Sequence, residues 1–104
     1  MAGYRVEVSQ PAEEDLRDIV RYISSQLSAP ITAVKMMETI EEALSKLSNM
    51  PHSYPIVRDD RLASIGYRRV DVKNYTAFFT IDEKKKVVNI ERVLYARRDW
   101  ANLL

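Results

Sequence analysis

Arg58, Arg61, Arg68, Arg69, Arg92, Tyr95, Arg97, Arg98 and Trp100 fall on or beside the strand-like stretches in the second half of the chain. A guanidinium fork grips phosphate through paired hydrogen bonds, and tyrosine or tryptophan stacks on unpaired bases, so this mixture suits RNA or ribonucleoprotein contact. Each arginine taken alone is explained equally well by an ion pair with Asp59, Asp60, Asp71, Glu91 or Asp99. Other chemistry is thinly represented. One histidine and no cysteine are too few ligands for metal hydrolysis, and neither a metal nor another cofactor is expected. Glu13, Glu14, Asp15 and Asp18 gather on an exposed face at the start of a helix, where capping and solubility explain them. His52 stands in a loop between two prolines, an ordinary place for a surface or packing histidine. There is no glycine-rich phosphate loop and no serine nucleophile elbow.

The elements that must position these residues can be read from periodicity. Tyr4, Val6 and Val8 alternate with Arg5 and Glu7, as in a half-buried strand, and Ser9-Gln10-Pro11 stops them. Pro11 suits a first helical turn, Ser9 or Gln10 can cap it, and Leu16, Ile19, Val20, Ile23 and Leu27 form one apolar face. Ser28-Ala29-Pro30 ends that helix and opens another, whose apolar face is Val34, Met37, Ile40, Ala43, Leu44 and Leu47. The short joint predicts an antiparallel helical hairpin. After a break at 49–55 and a polar stretch, strands are expected over 67–72, 75–81 and 87–95, the last two joined by Asp82-Glu83-Lys84-Lys85-Lys86. The order βααβββ implies an α+β fold, with the hairpin packed on one face of a small, mainly antiparallel sheet.

With 104 residues, the chain has the size of one domain, spanning 1–104. Its net charge of +1 conceals a division. Residues 1–55 carry five Lys/Arg against eight Asp/Glu, net −3, whereas residues 56–104 carry eleven against seven, net +4. The basic half favours an anionic partner, while Lys84-Lys85-Lys86 is explained by solvation of a turn. No apolar run approaches the roughly 18 residues of a membrane span, and Met1-Ala2-Gly3-Tyr4-Arg5 lacks a signal-peptide apolar region. A cytoplasmic protein without membrane contact is expected.

Pro11-Ala12-Glu13-Glu14-Asp15-Leu16, with Ile19, Tyr22 and Ile23, resembles the first helix of RelE/ParE toxins. Met50-Pro51 and Ser53-Tyr54-Pro55 resemble the loop after their helical hairpin. Tyr67-Arg68-Arg69-Val70, Val72-Lys73-Asn74-Tyr75 with Phe78-Phe79, and Ile90-Glu91-Arg92-Val93-Leu94-Tyr95-Ala96-Arg97-Arg98-Asp99 look like the family's three C-terminal strands. The resemblance runs from residue 4 to 99. It implies the toxin of a type II toxin-antitoxin (plasmid stabilisation, addiction) module, partnered by a cognate antitoxin. Such toxins act by metal-independent cleavage of mRNA on the ribosome, as RelE-like members do, or by inhibiting DNA gyrase, as ParE-like members do. A diverged, non-toxic protein-binding module is the alternative.

Carried over by position, Arg68 matches a basic residue of the second strand and Arg97 the arginine after the last strand. Tyr95 is the candidate acid or base, a role that requires a shift from its ordinary pKa of about 10. Arg61, Arg69, Lys73 and Arg98 are candidate contacts to RNA or another target, and Trp100, Leu103 and Leu104 are candidate antitoxin contacts. The chain departs from the RelE-like pattern at Val70 and Thr76, which replace basic residues, and it ends at Leu104 without a terminal tyrosine. The Arg97-Arg98-Asp99 ending looks more like the ParE branch.

Overall fold

The computed structural model describes residues 3–104. β1 (Arg5–Val8) leads into α1 (Gln10–Arg21), a π-type turn (Tyr22–Gln26), α2 (Pro30–Ser45), α3 (Asp60–Ile65), β2 (Arg68–Val72), β3 (Tyr75–Asp82) and β4 (Val87–Tyr95). Short 3-10 turns lie at Lys46–Ser48, Pro51–Ser53 and Trp100–Asn102. The sheet order is β1-β4-β3-β2, with β1 parallel to β4 and the other pairs antiparallel. The expected α+β arrangement, a helical hairpin followed by a mostly antiparallel sheet, is therefore observed.

Ser9 caps α1, its hydroxyl accepting the Ala12 N–H at 3.2 Å, and Pro11 occupies the first turn, where a missing N–H costs nothing. Ala12, Leu16, Ile19 and Ile23 then meet Ala33, Ile40, Leu44 and Leu47 over Ala77, Phe79, Val88, Ile90 and Val93 of the sheet. Ile90 and Val93, three apart, share this face because of a bulge: Phe79 pairs with Ile90 and Phe78 with Arg92, leaving Glu91 as the extra residue. Two residues expected on the helical apolar faces are instead outside. Leu27 is 55% exposed and Val34 58%. The π-type turn inserts extra chain after Ile23 and Ser28 takes a positive φ of 49°, so Leu27 has rotated off the face that Ile23 ends.

The opposite sheet face carries a second, smaller core. Phe78 and Leu94 pack there with Val57 and Leu62, and Tyr67, Trp100 and Leu104 close it. Leu62 comes from α3, which forms within the stretch that reads as polar in the sequence. Asp59 caps this helix by accepting the Leu62 N–H at 3.0 Å, and Gly66 ends it at φ 101°, a conformation that favours glycine.

Candidate functional site

Arg68 and Tyr95 lie far apart. Arg68 pairs with Phe79 on β3, while Tyr95, at the end of β4, pairs with Tyr75. Four residues along β3 separate these partners by about 13 Å, and β2 and β4 are themselves about 10 Å apart across β3. Arg68 is held by the loop after the hairpin. Its Nη1 donates to the Tyr54 carbonyl at 2.7 Å and to the His52 carbonyl at 3.2 Å. The carbonyls face it because Met50 turns the chain at φ 49°, Pro51 is buried, and Ile56 bridges back to Arg68 across the sheet edge.

Tyr95 belongs instead to the opposite end of the sheet. Its ring meets Tyr75 edge-on at 6.1 Å. Burial, followed by the nearness of Tyr22 and Tyr95, raises the Tyr75 pKa above its ordinary 10, so this phenol keeps its proton at neutral pH. The turn after β4 closes against the β2–β3 turn through Ala96 N–H to the Asn74 carbonyl, 2.8 Å, and is itself held by Arg98 N–H to the Tyr95 carbonyl, 3.0 Å. Lys73, Arg97 and Arg98 are thereby gathered beside Tyr95, all exposed and, among the described residues, without a side-chain hydrogen bond or ion pair. A groove of about 860 Å³ opens here between the hairpin and the sheet end, lined among others by Tyr22, Leu27, Met36, Tyr75, Tyr95 and Arg98.

Arg61 and Arg69 are placed elsewhere. Arg69 pairs with Phe78 in register and shares its face, which the hairpin does not cover, and donates to Asp71 at 2.9 Å. Burial pushes the Asp71 carboxyl up, but hydrogen bonds from Arg69 and Thr76 and the Arg69 charge outweigh it, leaving the group below its usual range. Arg61, on α3, donates to the Ala101 carbonyl at 3.1 Å, and Arg92 to the Leu103 carbonyl at 3.2 Å. Together they fasten the C-terminal turn. Trp100 is seated on Phe78 at 5.0 Å and Leu104 packs beside it, while Leu103 is 36% exposed. The three proposed antitoxin contacts thus divide into two that close a core and one that faces outward.

The sequence reading missed one polar site altogether. Asp15 does more than cap a helix: it accepts Arg92 Nε at 2.7 Å, Arg92 Nη2 at 2.9 Å and the Val93 N–H at 2.9 Å. With side-chain exposures of 11% and 24%, the pair is largely sheltered, and the Asp15 hydrogen bonds hold Arg92 firmly protonated. β1 stops opposite Ile90, so β4 beyond it has a free edge, and α1 crosses there with Ser9 Oγ donating to the Glu91 carbonyl at 3.0 Å. The available signal was position, since Asp15 lies next to Leu16 and one turn before Ile19. Among the described residues, no three His, Cys, Asp or Glu side chains are grouped to hold a metal ion, and no helix is long and apolar enough to cross a membrane.

A helical hairpin on a β1-β4-β3-β2 sheet is the fold shared with chains of solved ParDE and RelBE toxin-antitoxin systems. Residues 6–100 match the family model for the ParE toxin of the type II toxin-antitoxin system parDE, and the chain belongs to that family. Its fold is similar to a chain of the chromosomal ParDE system from P. aeruginosa, with TM-score 0.77 and 18% identity, covering 93% of this chain and 100% of that one. It also resembles a chain of the RelBE2 complex from Mycobacterium tuberculosis (TM-score 0.65, 20% identity, 89% and 98% covered). The E. coli toxin RelE, as a mutant in the free state, gives TM-score 0.64 at 13% identity, with 97% and 92% covered. These identities establish likeness of fold. No curated protein matches the chain.

Proposed function

We propose that this toxin acts in the cytoplasm on DNA gyrase, as ParE-like members do, and is neutralised by a cognate antitoxin. The observation that carries the reading is the separation of Arg68 from Tyr95. A metal-independent RNA cleavage site needs its acid, base and phosphate-binding cations around one scissile bond, with each reacting atom within about 3 Å of its catalytic group. Arg68 here staples a loop, whereas Tyr95, Arg97, Arg98 and Lys73 share the far end of the sheet. The family model is that of ParE, and the P. aeruginosa ParDE chain has the same strand and helix framework. Ribosome-dependent cleavage is the second reading, supported by the likeness of fold to the E. coli toxin RelE. Supercoiling by purified gyrase and mRNA cutting on programmed ribosomes, measured with one preparation, separate the two.

Antitoxin recognition is proposed at the C-terminal turn. Leu103 offers the first apolar contact, and Trp100 and Leu104 become available where a partner lifts the turn from Phe78. The complexes of the P. aeruginosa ParDE and M. tuberculosis RelBE2 systems support a protein antitoxin. Co-expression with the adjacent gene product tests this, through complex formation and relief of growth arrest.

A further inference from the structure

We infer that the groove at the end of the sheet binds a single strand of DNA, with phosphates on Arg98, which lines it, and on Lys73 and Arg97 of the adjoining turns, and with bases against Tyr95 and Tyr22. This deepens the gyrase reading by naming the DNA of the gyrase complex as a direct ligand of the toxin. Charge complementarity carries the first part. Of the acids nearest this end, Asp15 is paired with Arg92, Asp18 with Arg21 at 3.1 Å and Asp71 with Arg69, while Asp99 accepts only the neutral Asn102 amide at 2.6 Å and keeps its charge, leaving three cations against one uncompensated carboxylate. Lys73, Arg97 and Arg98 have no such partner among the described residues, so their charge remains available to an anion.

The aromatic surface carries the second part, independently of charge. Tyr22 is 52% exposed and Tyr95 43%, in a groove that also takes in the apolar Leu27 and Met36. Exposed phenols in one groove with an unpaired cation are the combination that holds single strands: backbone on the charges, bases on the rings, with little sequence preference. Trp100, the other aromatic candidate, is occupied by Phe78 and takes no part. A duplex would keep its base faces stacked away from these tyrosines.

The test is fluorescence anisotropy of a labelled single-stranded DNA of about 12 nucleotides, within the usual range of site sizes, titrated with toxin at several salt concentrations. Three phosphate contacts predict a log–log salt slope of about −2, and Lys73→Gln, Arg97→Gln and Arg98→Gln should each remove about 0.7 of it. Tyr95→Leu should weaken binding about tenfold and Tyr95→Phe should restore it. The double variant Lys84→Gln/Lys85→Gln, in the β3–β4 turn, loses two charges elsewhere, more than any single variant above, and should bind as the parent does. Thermal melts confirm that each variant is folded. A slope unchanged in the triple glutamine variant, equal binding by Tyr95→Leu, or a tenfold preference for duplex DNA or for RNA of the same sequence overturns the inference. Gyrase inhibition by a parent toxin that binds no oligonucleotide rejects this site and leaves the proposed target standing. Oligonucleotide binding without gyrase inhibition does the reverse.

Discussion

Asp15 shows how a residue that looks like helix-start decoration becomes structural once the chain folds. The carboxylate is shared by a guanidinium fork and a backbone N–H at a strand edge that β1 leaves open. Replacing Asp15 by Ala strands all three donors, and the expected loss is about 3 kcal/mol, measurable by urea unfolding. Arg68→Ala should cost less, about 1.5 kcal/mol, because it removes charge-assisted bonds to two loop carbonyls at a half-exposed site. Growth arrest by these variants must therefore be read alongside their stability. Arg97→Ala, at an exposed turn, should lower toxicity with a melting temperature close to that of the parent.

Titration adds a further test at this scale. The Asp71 carboxyl lies below its usual range in the folded chain. Its contribution is therefore present above the unfolded pKa of about 3.9 and is lost as pH falls through the lower folded value. Tyr75 is the opposite case: its folded pKa is raised, so its contribution is complete below about 10 and disappears as pH climbs past that. Stability profiles should flatten on the acid limb in Asp71→Asn and on the alkaline limb in Tyr75→Phe. Profiles unchanged in both would remove these groups from the explanation.

At the scale of elements, the helical hairpin and the three C-terminal strands were legible because period and punctuation agree: Ser9 and Pro11 open α1, and Pro30 opens α2. α3 was not. Its six residues, Asp60–Ile65, are too few to show an apolar stripe, and their one buried contact, Leu62, meets a core assembled from remote residues. The displacement of Leu27 was equally hidden, because a π-type turn shifts the phase of the apolar repeat without changing its composition. The consequence can be measured. Leu27→Ser should change stability by less than about 0.5 kcal/mol, whereas Leu47→Ala, fully buried in the main core, should cost about 3 kcal/mol. Equal losses would return Leu27 to the hairpin core.

Across the whole molecule, the basic half of the sequence does not become one basic surface. Arg69 and Arg92 enter ion pairs, Arg61 and Arg68 fasten chain segments through carbonyls, and Lys73, Arg97 and Arg98 remain together at the sheet end. Apart from Arg61 on α3, the sequence shows the strands and turns that carry these residues, but their grouping depends on register, and register depends on the bulge and the pairing order. The proposed gyrase target rests on that grouping. It is tested most directly by adding the purified toxin, free of antitoxin, to a gyrase supercoiling assay and, in parallel, to ribosomes programmed with mRNA. The proposal predicts loss of supercoiling with the mRNA left whole, and weaker inhibition by Arg97→Ala. Cut mRNA with supercoiling undiminished would contradict it.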